Sequence, residues 1–306
     1  MSHIYHHTQS ISKYARFLQW LMFRLGIKKE LATWFKRSSI NQKAASLPRL
    51  FKFICRHAYT IEHQKLHNRD VWILNPKQKE VQKTIFYLHG GAYIYNISQY
   101  HWRFLSCLCH HTQARIVVVD YPLAPTADCG EAYLFIEYVY AQLIANHQAT
   151  EVTVMGDSAG GGLALGFAQY LQKTQYIQPS RIILLAPWLD IALTHPKIDQ
   201  IEVLDPLLDK VALIKAGEAY KGNYDAQDPR VSPLYGNMKN LGRISIFIST
   251  HDLLWADCEV LHHRLKAEHI QHDYFEYPTL FHVWMMVVSL KESRLALKQI
   301  TDLIMF

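Results

Sequence analysis

Short apolar runs recur along the chain, most of them ended by turn residues, at positions 71–74, 84–88, 116–120, 152–155, 181–185, 244–249 and, more mixed in character, 273–277. Several are β-branched and apolar on successive residues, as strands buried on both faces are. Helical patterns separate or follow the later runs, at 131–146, 159–173, 256–269 and 290–304. Parallel neighbours need a crossover, and a helix supplies it. The alternation therefore predicts an α/β fold, a mostly parallel central sheet with helices on both faces.

One interval breaks the rhythm. Residues 188–240 hold no good strand but carry a helical stretch near 207–220. We read this as an insertion into a core of residues 56–306, lying over the C-terminal edge of the sheet, where α/β proteins bind ligands. Residues 1–55 read as a helical segment that joins the insertion in a cap.

Composition removes several function classes. Half of the 306 residues are hydrophobic and 19% are charged, enough for a large core. The net charge is +6, but no Lys/Arg tract is interleaved with aromatics, which argues against nucleic acid as a partner. The five cysteines are odd in number and lack paired spacing, so free thiols in a reduced, cytoplasmic compartment are expected. The apolar stretch 17–23, flanked by Lys13, Arg16 and Arg24, is too short to span a bilayer and lacks a cleavage site. Its basic surroundings read as cap or solvated face in preference to a membrane contact. A homodimer is left open.

The sharpest chemical signal is Gly156-Asp157-Ser158-Ala159-Gly160. It fits G-x-S-x-G, the turn that exposes a nucleophilic serine between a strand and a helix. A strand pattern runs into it and a helical pattern leaves it. The helix N-terminus behind Ser158 adds partial positive charge and free N–H groups. A second signal, His89-Gly90-Gly91-Ala92-Tyr93, directly follows the run 84–88. A glycine-rich turn there directs backbone N–H groups at a developing oxyanion, with Gly90 shaping the loop and Gly91, Ala92 and Ala159 donating. His89 reads as a brace for this loop.

A serine nucleophile needs a base, and the base needs a carboxylate to orient it. Asp252 follows the run 244–249 at a strand end; Asp257, Glu259, Asp205 and Asp209 are its competitors. His282 follows the last run and precedes the final helix; His251, His262, His263, His269 and His272 are its rivals. The expected set is Ser158, Asp252 and His282. The doublets His110-His111 and His262-His263 lack H-E-x-x-H and an evident third ligand, so no metal is expected.

Taken together, His89-Gly90-Gly91-Ala92, Asp120-Tyr121-Pro122-Leu123-Ala124-Pro125, Gly156-Asp157-Ser158-Ala159-Gly160-Gly161, Asp252-Leu253-Leu254 with Asp257, and His282 resemble the hormone-sensitive-lipase-like esterases of the α/β-hydrolase superfamily. The likeness covers roughly residues 84 to 290. It implies the α/β-hydrolase fold with a helical cap, no cofactor, and hydrolysis of small-molecule carboxylic esters with short to medium acyl chains. It also places nucleophile, acid and base on Ser158, Asp252 and His282. Two positions depart from the family pattern. Ala92 stands where HGGG ends in glycine, and alanine disfavours positive φ. Ser249 stands where a glycine is frequent. Tyr93 and Trp188 are candidates for an apolar acyl pocket, with core packing as the equal alternative. Lactone or amide hydrolysis on the same apparatus, and a non-catalytic ligand receptor, are the competing functions.

Overall fold

The computed structural model describes residues 2–29, 59–77, 83–145 and 152–306. Nine strands form one sheet: β1 (His3–His6), β2 (Tyr59–Leu66), β3 (Arg69–Pro76), β4 (Thr84–Leu88), β5 (Arg115–Val119), β6 (Val152–Asp157), β7 (Arg181–Leu185), β8 (Arg243–Ser249) and β9 (His272–Tyr277). Their order is β1-β9-β8-β7-β6-β4-β5-β3-β2. β2 and β3 are antiparallel, and β3 is antiparallel to β5; every other pairing is parallel.

The helices are α1 (Lys13–Leu25), α2 (Gln99–Thr112), α3 (Cys129–Ala145), α4 (Ala159–Lys173), α5 (Ile198–Glu202), α6 (Lys210–Lys221), α7 (Trp255–Ala267) and α8 (Lys291–Met305). None of the described helices is long and apolar enough to cross a membrane.

Period-two alternation divides the central strands between two cores. Phe86 and Leu88 of β4 join Val117 and Val154 beneath α3, α4 and α7. Ile85 and Tyr87 join Ile116, Val118 and Met155 against α2 and α8. Burying each large apolar side chain of this kind contributes about 1.5–3 kcal/mol, which is why these strands carry almost no polar residue. Between β7 and β8 lie α5, α6 and the 3₁₀ turn Pro233–Tyr235, with no strand, as the sequence pattern of 188–240 anticipates.

The N-terminal segment differs from expectation. Residues 3–6 are a strand, paired in parallel with β9 from His3 opposite Asp273 to His6 opposite Glu276, and not part of a helical cap. The exposed backbone edge of β9 supplies the partners, and Tyr5 packs its ring near Phe275 and Tyr277. Helix α1 does follow, capped by Ser12 and ended by Gly26 in the left-handed conformation. The remainder of the expected cap segment, residues 30–55, lies outside the described residues. β2 also escaped the sequence reading. It is joined to β3 by His67 and Asn68, both at positive φ (48° and 63°), as a two-residue hairpin turn requires.

Candidate active site

The turn between β6 and α4 places Ser158 at φ 52° and ψ −122°. That conformation costs a non-glycine residue about 1–3 kcal/mol. Surrounding hydrogen bonds hold it there. The Ser158 N–H donates to the Leu185 carbonyl at 2.8 Å, and its own carbonyl accepts from Gly161, Gly162 and Trp188 at 3.0, 3.1 and 2.9 Å. The turn closes tightly enough to exclude side chains at two positions. A Cβ at Gly156 would lie 2.1 Å from the Gly160 carbonyl oxygen, and one at Gly160 would lie 2.1 Å from that of Leu88.

His282 sits in the loop after β9, and Asp252 in the turn after β8. The structure brings both to Ser158. His282 Nδ1 lies 2.7 Å from Asp252 Oδ2, and His282 Nε2 lies 2.8 Å from Ser158 Oγ. An ionised carboxylate only accepts, so Nδ1 carries the proton and Nε2 is left to accept from the serine hydroxyl. Asp252 is fully buried, His282 nearly so, and Ser158 is 8% exposed. Burial works against charge on the His282 ring. The charge and hydrogen bond of Asp252 outweigh it, with help from Asp205 and Asp157, and the imidazole is held above its ordinary 6.5.

Among the competitors for the acid role, Asp205 comes near but serves differently. Its Oδ1 accepts from the Leu207 and Leu208 N–H groups, and its Oδ2 accepts from Leu253, the residue after Asp252. Burial, then the charge of Asp252, pushes Asp205 up to about 6. Asp209 caps α6, and Asp257 and Glu259 lie on α7. Of the rival histidines, His262 and His272 bond to each other at 2.8 Å.

Ser249, one of the two departures from the family pattern, has a structural task. Its buried hydroxyl donates to the Leu280 carbonyl and accepts from the Leu280 N–H, both at 2.8 Å. Leu280 is two residues before His282, so β8 fastens the loop that carries the imidazole.

The glycine-rich loop after β4 is tied to the serine turn by Asp157. Asp157 Oδ1 accepts from the Tyr87 hydroxyl at 2.5 Å and from the Gly90 N–H at 2.9 Å. Its Oδ2 lies 3.2 Å from His101 Nε2. Burial opposes the Asp157 charge, but His101, Tyr87 and Gly90 overcome it and hold the carboxyl below its ordinary 3.8. The Gly90 amide is thereby occupied. Gly91, Ala92 and Ala159 donate to no backbone carbonyl among the described residues. Gly91, Ala92 and Tyr93 all adopt positive φ, at 123°, 51° and 63°. Ala92 thus holds the conformation that glycine would adopt at lower cost. His89 braces the loop as anticipated. It is buried, donates from Nδ1 to the Gly90 carbonyl and stacks on Tyr121, while burial lowers its imidazole to about 4.

The two aromatic candidates for an acyl pocket lie in the core. Tyr93 is 1% exposed and stacks on Tyr220 with ring centroids 3.7 Å apart, and Trp188 is wholly enclosed beside it. The Trp188 indole N–H donates to the Asp190 carbonyl. Their burial matches packing, the alternative reading of both. Among the described residues no group of three or more His, Cys, Asp or Glu side chains is arranged to hold a metal ion.

Residues 85–286 match the profile of a family described as having the alpha/beta hydrolase fold. An esterase of Acinetobacter venetianus is 34% identical over 194 residues, 62% of this chain and 63% of that protein. A triacylglycerol lipase of Mycobacterium tuberculosis is 31% identical over 201 residues, 65% of this chain and 41% of that one. The matched segments thus span less than two thirds of either relative. Two solved structures share the fold. An esterase from the bacterial hormone-sensitive lipase family superposes with a TM-score of 0.78 at 22% identity, covering 93% of this chain and 97% of that one. A hormone-sensitive-lipase homologue from a metagenome library gives 0.81 at 20% identity, covering 96% and 98%.

Proposed function

The chain belongs to the α/β-hydrolase fold family, and on that premise we propose that it is a carboxylic ester hydrolase working through a serine acyl-enzyme. The observation that carries the proposal is the unbroken hydrogen-bond chain from Asp252 through His282 to Ser158. The relatives named as an esterase and a lipase support the same reaction class.

In this reading His282 Nε2 takes the hydroxyl proton as Ser158 Oγ attacks the ester carbonyl carbon. Asp252 keeps the ring in the Nδ1–H tautomer and stabilises the imidazolium. The tetrahedral oxyanion is held by the uncommitted N–H groups of Gly91, Ala92 and Ala159, each worth about 2.7–4 kcal/mol of barrier in comparable sites. Gly90, held by Asp157, sets the position of the two loop donors. Collapse breaks the ester C–O bond, and the imidazolium returns its proton to the departing alkoxide. Water then enters, gives a proton to His282 and attacks the acyl-enzyme, releasing the acid and regenerating Ser158. The esters we assign to it carry short to medium acyl chains, as the resemblance to the hormone-sensitive-lipase-like esterases implies.

Turnover of a p-nitrophenyl ester series of increasing acyl length, for wild type and Ser158→Ala, tests this. The expected result is hydrolysis that peaks at short or medium chains and is lost in the variant. Equal rates in both proteins remove Ser158 from the mechanism. Anilides or lactones cleaved faster than the matching esters redirect the substrate class.

A further inference from the structure

We propose that α1 is a docking face for an anionic lipid surface. The charge of this segment is one-sided. Residues 2–29 contain Lys13, Arg16, Arg24, Lys28 and Lys29 and no Asp or Glu, so nearly all of the chain's net +6 resides there. Lys28 is matched by Glu202 at 3.4 Å. Lys13, Arg16 and Arg24 are exposed and form no ion pair among the described residues.

The apolar side chains of α1 point two ways. Ala15, Leu18 and Met22 face the core. Phe17, Trp20 and Phe23 face outward, at 52%, 56% and 52% exposure, and the rings of Phe17 and Trp20 stack with centroids 6.0 Å apart. At 100° per residue, Lys13, Phe17, Trp20 and Arg24 occupy one stripe opposite the packed face. Aromatic rings flanked by cations on one exposed stripe match a headgroup surface, where amphipathic rings settle at the interface and Lys and Arg meet anionic lipid. Burying such a face against a second copy would set like charges together, whereas anionic headgroups neutralise them.

The helix is also held firmly in place. The Ser12 hydroxyl at its start bonds to Glu292, the Gln19 side chain donates to the Thr279 carbonyl at 2.5 Å, and Lys28 donates to the Glu202 carbonyl at 2.7 Å. Thr279 belongs to the loop that carries His282, and Glu202 to the insertion. Docking through α1 therefore brings lipid to the rim of the site. If the ester hydrolase reading holds, substrates dissolved in that lipid would be delivered there; the docking itself does not depend on it.

The test is co-sedimentation of the full chain with phosphatidylcholine vesicles, with and without about a third phosphatidylglycerol, at low and high salt. We expect binding to the anionic vesicles at low salt only. Phe17→Ser/Trp20→Ser should weaken it at least tenfold. Lys13→Gln/Arg16→Gln/Arg24→Gln should weaken it by about 100-fold, at about fivefold per cation. Both variants should turn over p-nitrophenyl acetate at the wild-type rate, which also reports folding; should the aromatic variant misfold, Trp20→Gln replaces it. Wild type left in the supernatant with anionic vesicles overturns the proposal, as do variants that sediment like wild type. A wild-type dimer in gel filtration that the aromatic variant converts to monomer assigns the face to a second copy instead.

Discussion

Replacing Asp157 with asparagine exchanges one oxygen for nitrogen and tests whether this side chain is the strut between the serine turn and the glycine-rich loop. His101 Nδ1 accepts from the Ser98 N–H at 3.0 Å, so Nε2 is the ring nitrogen that carries a proton toward Asp157 Oδ2. The new amide would put donor against donor there. A hydrogen bond to an ionised group is worth about 1.5–3 kcal/mol, and one to a neutral group about 0.5–1.5 kcal/mol. One bond is lost and those from Tyr87 and Gly90 are weakened, a gross cost of about 3–5 kcal/mol. Against this, asparagine escapes the burial of a charge, the largest single influence on Asp157. The carboxyl nevertheless lies below its ordinary 3.8, so the ionised form is favoured overall by the fold. The net expectation is a loss of about 1–3 kcal/mol in urea unfolding at neutral pH. A group whose carboxyl is depressed on folding contributes stability that is complete above its unfolded value and lost as pH falls through the folded one. Wild type should therefore lose stability below about pH 4 more steeply than the variant. The weakened tie to the Gly90 amide should also misplace the loop donors and lower kcat by about 10- to 1000-fold with little change in KM. An unfolding free energy within about 0.5 kcal/mol of wild type, together with a kcat within about twofold, would refute the strut.

Three further substitutions probe the rest of the site. Asp252→Asn should lower kcat by about 10⁴-fold, because the imidazole loses the carboxylate that sets its tautomer. Before that change, kcat/KM should fall with decreasing pH through a midpoint above 6.5, since His282 is held above that value and only its neutral form accepts the serine proton; a lower midpoint contradicts this. Ser249→Ala should cost about 1–3 kcal/mol in chemical denaturation, by leaving the Leu280 N–H and carbonyl unmatched, and should lower kcat more than KM. Ala92→Gly relieves φ 51° but frees the unfolded chain, so stability should stay within about 1 kcal/mol and kcat/KM within about threefold; a larger loss of activity would give the Ala92 methyl a role in the site.

Strands β4, β6, β7 and β8 were legible because both their faces are buried, which leaves unbroken apolar runs in the sequence. β1 and β2 were not, because they lie at the sheet's two ends. β2 carries Glu62, His63, Gln64 and Lys65 on largely exposed positions, and β1 is four residues long and gains its partner from β9, far along the chain. Helix α2 was also missed, since its start is set by a capping box in which His101 takes the place of the usual acidic residue. Ser158, Asp252 and His282 stood out because each follows a readable strand. The residues that position them did not. Asp157, Tyr87 and His101 meet across three elements, and the partner of Ser249 lies 31 residues away. Tyr93 and Trp188 were read with acyl pocket and core packing as equal alternatives, because position along the chain does not say which way a ring points.

The pairing of β1 with β9 has a consequence for self-association. β9 bonds to β8 on one side and β1 on the other, so no second chain can extend the sheet by adding to β9. What remains at that border is a strip four residues long, too short and too rich in histidine to template an intruding strand well. Loss of residues 3–6 would unveil the backbone of β9 beside Phe275 and Tyr277, turning a closed border into a seed for aggregation.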